Sequence, residues 1–320
     1  MQYKGSYKGL NNVSKSGTHN RIKKLILLSV FLTTFITTIF IVTLKIENKV
    51  QNINLSKEEI QNYINISDEL SKYGQQVNWQ EIAAINSVLN NGNFIISNEN
   101  ISKIEKALFN EDNLGNIINI NDFEYILKNL ELDRQDRELA MKNLEGLKNN
   151  YINENLLEDE SKLEFIKSVS EISFNNYESY GILPSITISQ AILESGWGES
   201  TLSSQYNNLF GIKADSRWSG EKVELETKEN YDDVIVGAFR AYDDFDSSIQ
   251  DHGKFLYENE RYSKSGFFEG RTYKEQAQSL ENAGYSTAKD EEGNLIYADK
   301  LIRVIQENNL MLYDTLIERK

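Results

Sequence analysis

The chain is expected to be mainly α with one small β element, an α+β fold, and three observations predict this. Proline occurs once in 320 residues, while Asn, Glu, Lys, Ile and Leu are abundant, so few positions interrupt a helix. Apolar residues recur at helical spacing in segments such as Trp79 to Leu89, where Ile82, Ile85 and Leu89 share a stripe. One segment, Val223-Glu224-Leu225-Glu226-Thr227-Lys228-Glu229, alternates with a period of two, as a strand with one buried face does.

Composition removes several function classes. Zero cysteines exclude disulfides, zinc–thiolate sites and thiol nucleophiles. Two histidines, His19 and His252, are too few for a multi-histidine metal centre. With 34 basic and 49 acidic side chains the net charge is −15, which argues against nucleic acid, whose phosphates attract basic surfaces.

That charge is unevenly distributed. Residues 1–24 hold Lys4, Lys8, Lys15, Arg21, Lys23, Lys24 and no acid, a basic arm of +6. Setting the arm aside leaves 28 basic against 49 acidic residues, a net of −21. Residues 25–44, LILLSVFLTTFITTIFIVTL, carry no charge. At about 1.5 Å per residue such a helix spans roughly the 30 Å of a bilayer core. Its six hydroxyl side chains can bond back to helix carbonyls. A cleaved signal peptide has a shorter apolar region and a small-residue cleavage site, whereas this stretch runs into Leu44-Lys45-Ile46-Glu47. The segment therefore reads as an uncleaved transmembrane signal anchor. By the positive-inside rule the N-terminus is cytoplasmic and the remainder extracytoplasmic, in a single-pass protein of the cell membrane.

Residues 45–75 are polar and read as a stalk or first helix. Residues 76–160 read as a helical module, with helices over Trp79–Leu89, Ile101–Phe109, Phe123–Leu132 and Arg134–Tyr151. It shows no catalytic constellation, and its expected role is a spacer or a contact surface for a protein partner. Asn110 to Asn121 imitates a calcium loop, with Gly115 and Ile117 in place. Leu114 and Asn121 stand where oxygen ligands and a bidentate Glu are needed, so calcium is not expected.

Residues 161–320 carry the chemistry. A helix over Phe165–Tyr180 turns Phe165, Val169, Ile172 and Tyr177 inward. Gly181-Ile182-Leu183-Pro184 starts the next, because proline suits the first helical turn. That helix runs through SITISQAILE and stops at Ser195-Gly196-Trp197-Gly198, with Glu194 in its last turn. A carboxyl group beside Trp197, at the negative end of a helix dipole, is partly desolvated. Both effects raise its pKa. A proton retained at neutral pH is what a general acid for glycosidic cleavage needs.

The segment ILPSITISQAILESGWGESTLSSQYNNLFGIKA (Ile182 to Ala214) resembles the glucosaminidase domains of glycoside hydrolase family 73. The resemblance continues through Phe239-Arg240-Ala241-Tyr242, Ser248-Ile249-Gln250-Asp251-His252 and Ala283-Gly284-Tyr285-Ser286-Thr287, covering roughly residues 163–316. It implies a lysozyme-like catalytic domain, with a small β-hairpin lobe and a glycan groove. It also implies activity on peptidoglycan glycan strands as an endo-β-N-acetylglucosaminidase, with no metal or organic cofactor. Glu194 falls at the general-acid position. The second acid is matched to Glu229 in Thr227-Lys228-Glu229-Asn230, with Glu226 and Glu221 as alternatives. Asn230 departs from the aromatic residue of the family word. Tyr285 matches a tyrosine beside the reaction centre. Ala288 to Asn294 replaces the Asp-Pro that usually follows. Trp197, Asn208, Leu209, Phe210, Gly211 and Trp218 are the implied substrate-binding residues. His252 is expected to be a hydrogen-bonded helix histidine. Two other readings share the pattern: a muramidase or lytic transglycosylase on the same fold, and a non-catalytic wall-binding scaffold.

Overall fold

The computed structural model describes residues 53–71, 75–111, 117–150, 159–229 and 233–317. The expected arm and anchor, 1–24 and 25–44, lie outside the described residues. Among the described residues, no helix is long and apolar enough to cross a membrane. Asn52–Lys320 form one compact unit.

Helix α1 (Lys57–Leu70) falls in the segment read as a stalk or first helix. Ser56 and Glu59 start it with a reciprocal capping box, each side chain accepting the other's backbone N–H. It buries Tyr63, Ile64, Ser67 and Leu70. Helix α2 (Trp79–Leu89) is buried from Trp79 to Val88, and hence lies at the centre of the N-terminal helices rather than at their surface. Helix α3 (Asn98–Leu108) leads into β1 (Phe109–Glu111), which pairs antiparallel with β2 (Ile117–Ile120). The stretch resembling a calcium loop thus contributes two short strands. Helices α4 (Phe123–Asn129) and α5 (Arg134–Asn150) follow. Ala140, Leu144 and Leu147 are the buried stripe of α5, and Asn143 donates to Ser87 Oγ of α2 at 2.8 Å.

The second half begins with α6 (Glu160–Tyr180), capped by Asp159 and closed by Gly181 in the left-handed region. Helix α7 (Pro184–Ser195) crosses the middle of this half and is buried over its first nine residues. After α8 (Thr201–Tyr206), strands β3 (Lys222–Glu229) and β4 (Asp233–Arg240) form the expected hairpin, in register from Lys222 opposite Arg240 to Glu229 opposite Asp233. Helices α9 (Phe245–Glu258), α10 (Glu260–Lys264), a 3₁₀ turn (Phe267–Glu269), α11 (Tyr273–Asn282), α12 (Tyr297–Glu307) and α13 (Met311–Ile317) complete the chain. Helix α9 approaches α6 closely at Gly253, where a Cβ atom would stand 2.7 Å from Asn176 Oδ1. Asn176 donates to Ile249 O across that contact, at 2.9 Å.

One apolar core runs from Ile53 to Met311 and joins the N-terminal helices to the catalytic half. Asp68 of α1 is the polar link. Its Oδ2 accepts from Tyr273 Oη at 2.6 Å and Gln306 Nε2 at 3.2 Å, and pairs with Lys274 at 2.9 Å. Trp79 donates its indole N–H to Asn309 Oδ1 at 3.2 Å.

Candidate active site

Helix α7 places Glu194. Its N-terminus lacks a side-chain cap from its own Leu183, and Asp314 of α13 supplies one. Asp314 accepts from Ser185 N at 2.9 Å and Ser185 Oγ at 2.6 Å. At the other end three successive residues, Gly196, Trp197 and Gly198, have φ of 58°, 62° and 80°. That left-handed run ends the helix sharply one residue after Glu194. Trp197 is the strained member, since a non-glycine residue rarely adopts this region.

Gln190 and Glu194 are four residues apart and share a helix face. Between them stands the phenol of Tyr297, the first residue of α12. Tyr297 accepts from Gln190 Nε2 at 3.0 Å and donates to Glu194 Oε1 at 2.8 Å. Both Gln190 and Tyr297 are buried. Tyr297 is fixed in turn by its neighbours. The preceding Asp290 gathers the backbone N–H groups of Glu292 and Asn294 into a tight turn, and Glu281 accepts the N–H of Ala298 at 3.0 Å. The loop that replaces Asp-Pro therefore delivers Tyr297 to the acid.

Glu194 as a residue is exposed, whereas its carboxyl group sits deeply enough among protein atoms for desolvation to raise its pKa. The Tyr297 hydrogen bond and the Lys300 charge oppose that rise without cancelling it. Tyr285 stacks on Tyr297 at 5.1 Å between centroids. Burial, followed among other causes by the nearby Glu194 charge, holds both phenols well above their ordinary pKa. They stay protonated, which lets Tyr297 donate to Glu194.

Behind Tyr285 lies His252, edge-on at 6.3 Å and stacked on Phe210 at 3.7 Å. The expectation of a hydrogen-bonded histidine is corrected here. His252 is fully buried, and neither ring nitrogen has a hydrogen-bond partner among the described residues. Burial holds its pKa down to about 3, so it is a neutral aromatic spacer.

The remaining expected site residues divide by what they touch. Trp197 is half-buried against Phe165, edge-on at 6.2 Å, with the Lys162 ammonium 5.4 Å from its ring. Asn208 is buried, and its amide bonds the backbone of Ile212 and Arg240. Leu209 and Phe210 are buried, so Gly211 is the exposed residue of that segment. Trp218 is half-buried beside Arg240, 4.6 Å from ring to guanidinium, and donates to Glu221 O at 2.8 Å. Glu229 ends β3, and its side chain lies outside the described ones. Its register places it with Val223, opposite buried Phe239, and Leu225. Glu226 is exposed on the other face opposite exposed Val236, and Glu221 is exposed just before the strand.

Tyr297 and Gln190 were not among the residues picked out in the sequence. The spacing of Gln190 and Glu194 is visible there, but the contact with Tyr297, 103 residues away, is not. Among the described residues, no group of three or more His, Cys, Asp or Glu could hold a metal ion.

A buried helix that ends on a desolvated glutamic acid backed by paired tyrosines has the make-up of a general-acid site for glycosidic cleavage. Residues 171–310 match the family model of glucosaminidases, described as mannosyl-glycoprotein endo-beta-N-acetylglucosaminidase, and this part of the chain is a glucosaminidase-family domain. The chain is 38% identical over 156 residues to the exo-glucosaminidase LytG of Bacillus subtilis, across 47% of this chain and 52% of that protein. It is 33% identical over 154 residues to the peptidoglycan hydrolase FlgJ of Vibrio parahaemolyticus, across 46% of this chain and 48% of that protein. It is 31% identical to the solved catalytic domain of the autolysin Auto from Listeria monocytogenes. That match has a TM-score of 0.40 and covers 48% of this chain and 87% of that one. The chain spans about half the length of the curated relatives it matches.

Proposed function

We propose that the chain is a peptidoglycan hydrolase, an endo-β-N-acetylglucosaminidase that cuts the β-1,4 bond after N-acetylglucosamine. The observation that carries this is Glu194, an acid of raised pKa with one oxygen held by Tyr297, inside a glucosaminidase-family domain. Because Tyr297 donates to Oε1, the acid proton belongs on Oε2. Glu194 delivers it to the glycosidic oxygen as the bond to the anomeric carbon breaks. The positive charge left on the sugar is met by Glu229, whose register supports it over Glu226, or by the substrate's own 2-acetamido group. Water then adds to the anomeric carbon and gives up a proton to a carboxylate, Glu194 itself or Glu229, so that Glu194 is reprotonated for the next cycle.

The test is digestion of purified peptidoglycan followed by borohydride reduction. Glucosaminitol ends are expected, and muramitol or anhydromuramic ends would overturn the assignment. The size of the soluble products separates endo from exo cutting. A Glu194→Gln variant is expected to release at least a hundredfold less product, roughly the low end of general-acid contributions. Equal release would make Glu194 a bystander.

The same reading places residues 1–24 in the cytoplasm and 25–44 in the membrane, with the hydrolase domain outside. Deleting residues 1–44 is expected to move the protein from the membrane fraction to the soluble one. The helices of residues 76–160 are proposed to offer a surface to a protein partner as well as bracing the catalytic half.

A further inference from the structure

Gln190 is fully buried in α7, one helical turn before Glu194. Its Nε2 donates to Tyr297 Oη at 3.0 Å, whereas its Oε1 is buried with no hydrogen-bond partner among the described residues. For packing alone, this is a costly side chain. A carbonyl oxygen buried unpaired loses its hydration without replacement, and an apolar residue of the same length carries no such penalty. A buried polar group left partly unsatisfied therefore calls for another reason to be there.

The reason lies in the direction the amide gives to a chain of hydrogen bonds. A phenol has one proton to donate and also accepts. Two neighbours compete for the proton of Tyr297, the amide oxygen of Gln190 and the carboxyl group of Glu194. With Nε2 turned toward it, Tyr297 accepts from Gln190, and its single proton goes to Glu194 Oε1 at 2.8 Å. The opposite turn of the amide would offer Oε1 to the phenol and draw that proton away. Glu194 could then bond Tyr297 only by giving up its own acid proton, which is the one the glycosidic oxygen needs. Strength follows direction. Hydrogen bonds in series polarise one another, so a donor on the phenol oxygen makes the phenol's own O–H a stronger donor. Burial holds the Tyr297 phenol well above its ordinary pKa, and the Gln190 bond is an influence that opposes this rise.

We propose that Gln190 is a positioning residue for the general acid, which turns the proton of Tyr297 toward Glu194 and strengthens the bond it makes there. Being fully buried, Gln190 acts through Tyr297 and not on the substrate. Once Glu194 has protonated the glycosidic oxygen, the carboxylate left behind is stabilised by Tyr297 and, through it, by Gln190. The proposal rests on Glu194 being the acid of a glucosaminidase, and the test separates the two.

Gln190→Met keeps the length of the side chain and removes its donor. It is made in the full chain in two backgrounds, wild type and Tyr297→Phe, and kcat, KM and the pH–rate profile are measured on purified peptidoglycan. In the wild-type background kcat is expected to fall by about fivefold, the worth of one neutral hydrogen bond, with KM little changed. The alkaline limb is expected to move to higher pH, because the Glu194 carboxylate loses stabilisation. In Tyr297→Phe the phenol oxygen is gone. There the same substitution is expected to change kcat by less than about twofold and to leave the limb in place. Equal losses in the two backgrounds overturn the proposal, since Gln190 would then act by packing. So does an unchanged kcat or an unmoved limb in the wild-type background. Thermal unfolding checks that each variant is folded, and Gln190→Leu serves as the second apolar variant if methionine disturbs the helix. Equal product release by Glu194→Gln and wild type overturns the underlying reading instead.

Discussion

Tyr297→Phe isolates the side-chain hydrogen bond that holds the Glu194 carboxyl among the described residues. The substitution removes a single oxygen and leaves the ring to stack on Tyr285. It deletes the 2.8 Å bond to Glu194 Oε1 and leaves Gln190 Nε2 without its 3.0 Å partner. A hydrogen bond to a group that becomes charged is worth about 1.5–3 kcal/mol, and the exposure of Glu194 places this one near the low end. About 1.5 kcal/mol corresponds to a loss of roughly tenfold in kcat. The sign of the pH effect follows from the same bond. Tyr297 stabilises the ionised carboxylate, so its removal raises the pKa of Glu194 further above its ordinary value. Activity is lost as pH rises through that pKa, because the general acid must hold its proton. The alkaline limb of the pH–rate profile is therefore expected to move to higher pH in Tyr297→Phe, with KM little changed. An initial-rate series from pH 4 to 9 on purified peptidoglycan measures both. An alkaline limb that stays fixed or moves to lower pH would refute the role given to Tyr297, whatever happened to kcat.

Three further outcomes are expected. In Gly198→Ala the new methyl group meets Phe165 Cε2 at 2.8 Å with φ at +80°, so thermal unfolding should show a loss of about 1–3 kcal/mol. An unchanged midpoint would mean that the turn after Glu194 adapts freely. His252 has a folded pKa of about 3 against 6.5 unpaired, so the unfolded chain alone takes up this proton as pH falls. Its effect is absent above pH 6.5 and grows to roughly 4 kcal/mol of destabilisation near pH 3. Urea titrations at several pH values should show a flatter dependence in His252→Leu, and parallel curves would contradict the buried neutral ring. Asp68→Ala strips Tyr273, Gln306 and Lys274 of their shared acceptor and should cost about 2–4 kcal/mol in urea unfolding. A negligible loss would argue that α1 is not braced on the catalytic half.

Much of the fold is legible in local patterns because helix formation depends on local spacing. Trp79–Leu89 reads as a helix from its stripe, and α2 has those bounds. Pro184 at a helix start and Gly196 after its end bracket α7 as their dihedral preferences require. The period-two run at 223–229 becomes β3, with Glu224 and Glu226 exposed. Short strands β1 and β2 are hidden in the sequence, since so few residues on either side of a glycine fit a metal loop as well as a strand pair. Side-chain roles were less legible than elements. Asn208 has the chemistry to bind a sugar, yet among the described residues its three side-chain hydrogen bonds all go to the backbone of Ile212 and Arg240. Trp218 lines a cavity whose other walls come from β4 and α9.

By itself, the sequence determined the charge division between arm and remainder, the succession of helices, and the position of Glu194 at a helix end beside glycines. Each follows from residues within a few positions of one another. Only the tertiary structure decided which groups surround that acid. Tyr297 lies 103 residues from Glu194, and it arrives there because the Asp290 turn and Glu281 aim α12 at the end of α7. The N-terminal helices likewise share the catalytic half's core through Asp68 and Trp79, contacts that span more than 200 residues. A hydrogen bond made across such a separation leaves no periodicity in the chain, because it records how surfaces meet once the helices have formed.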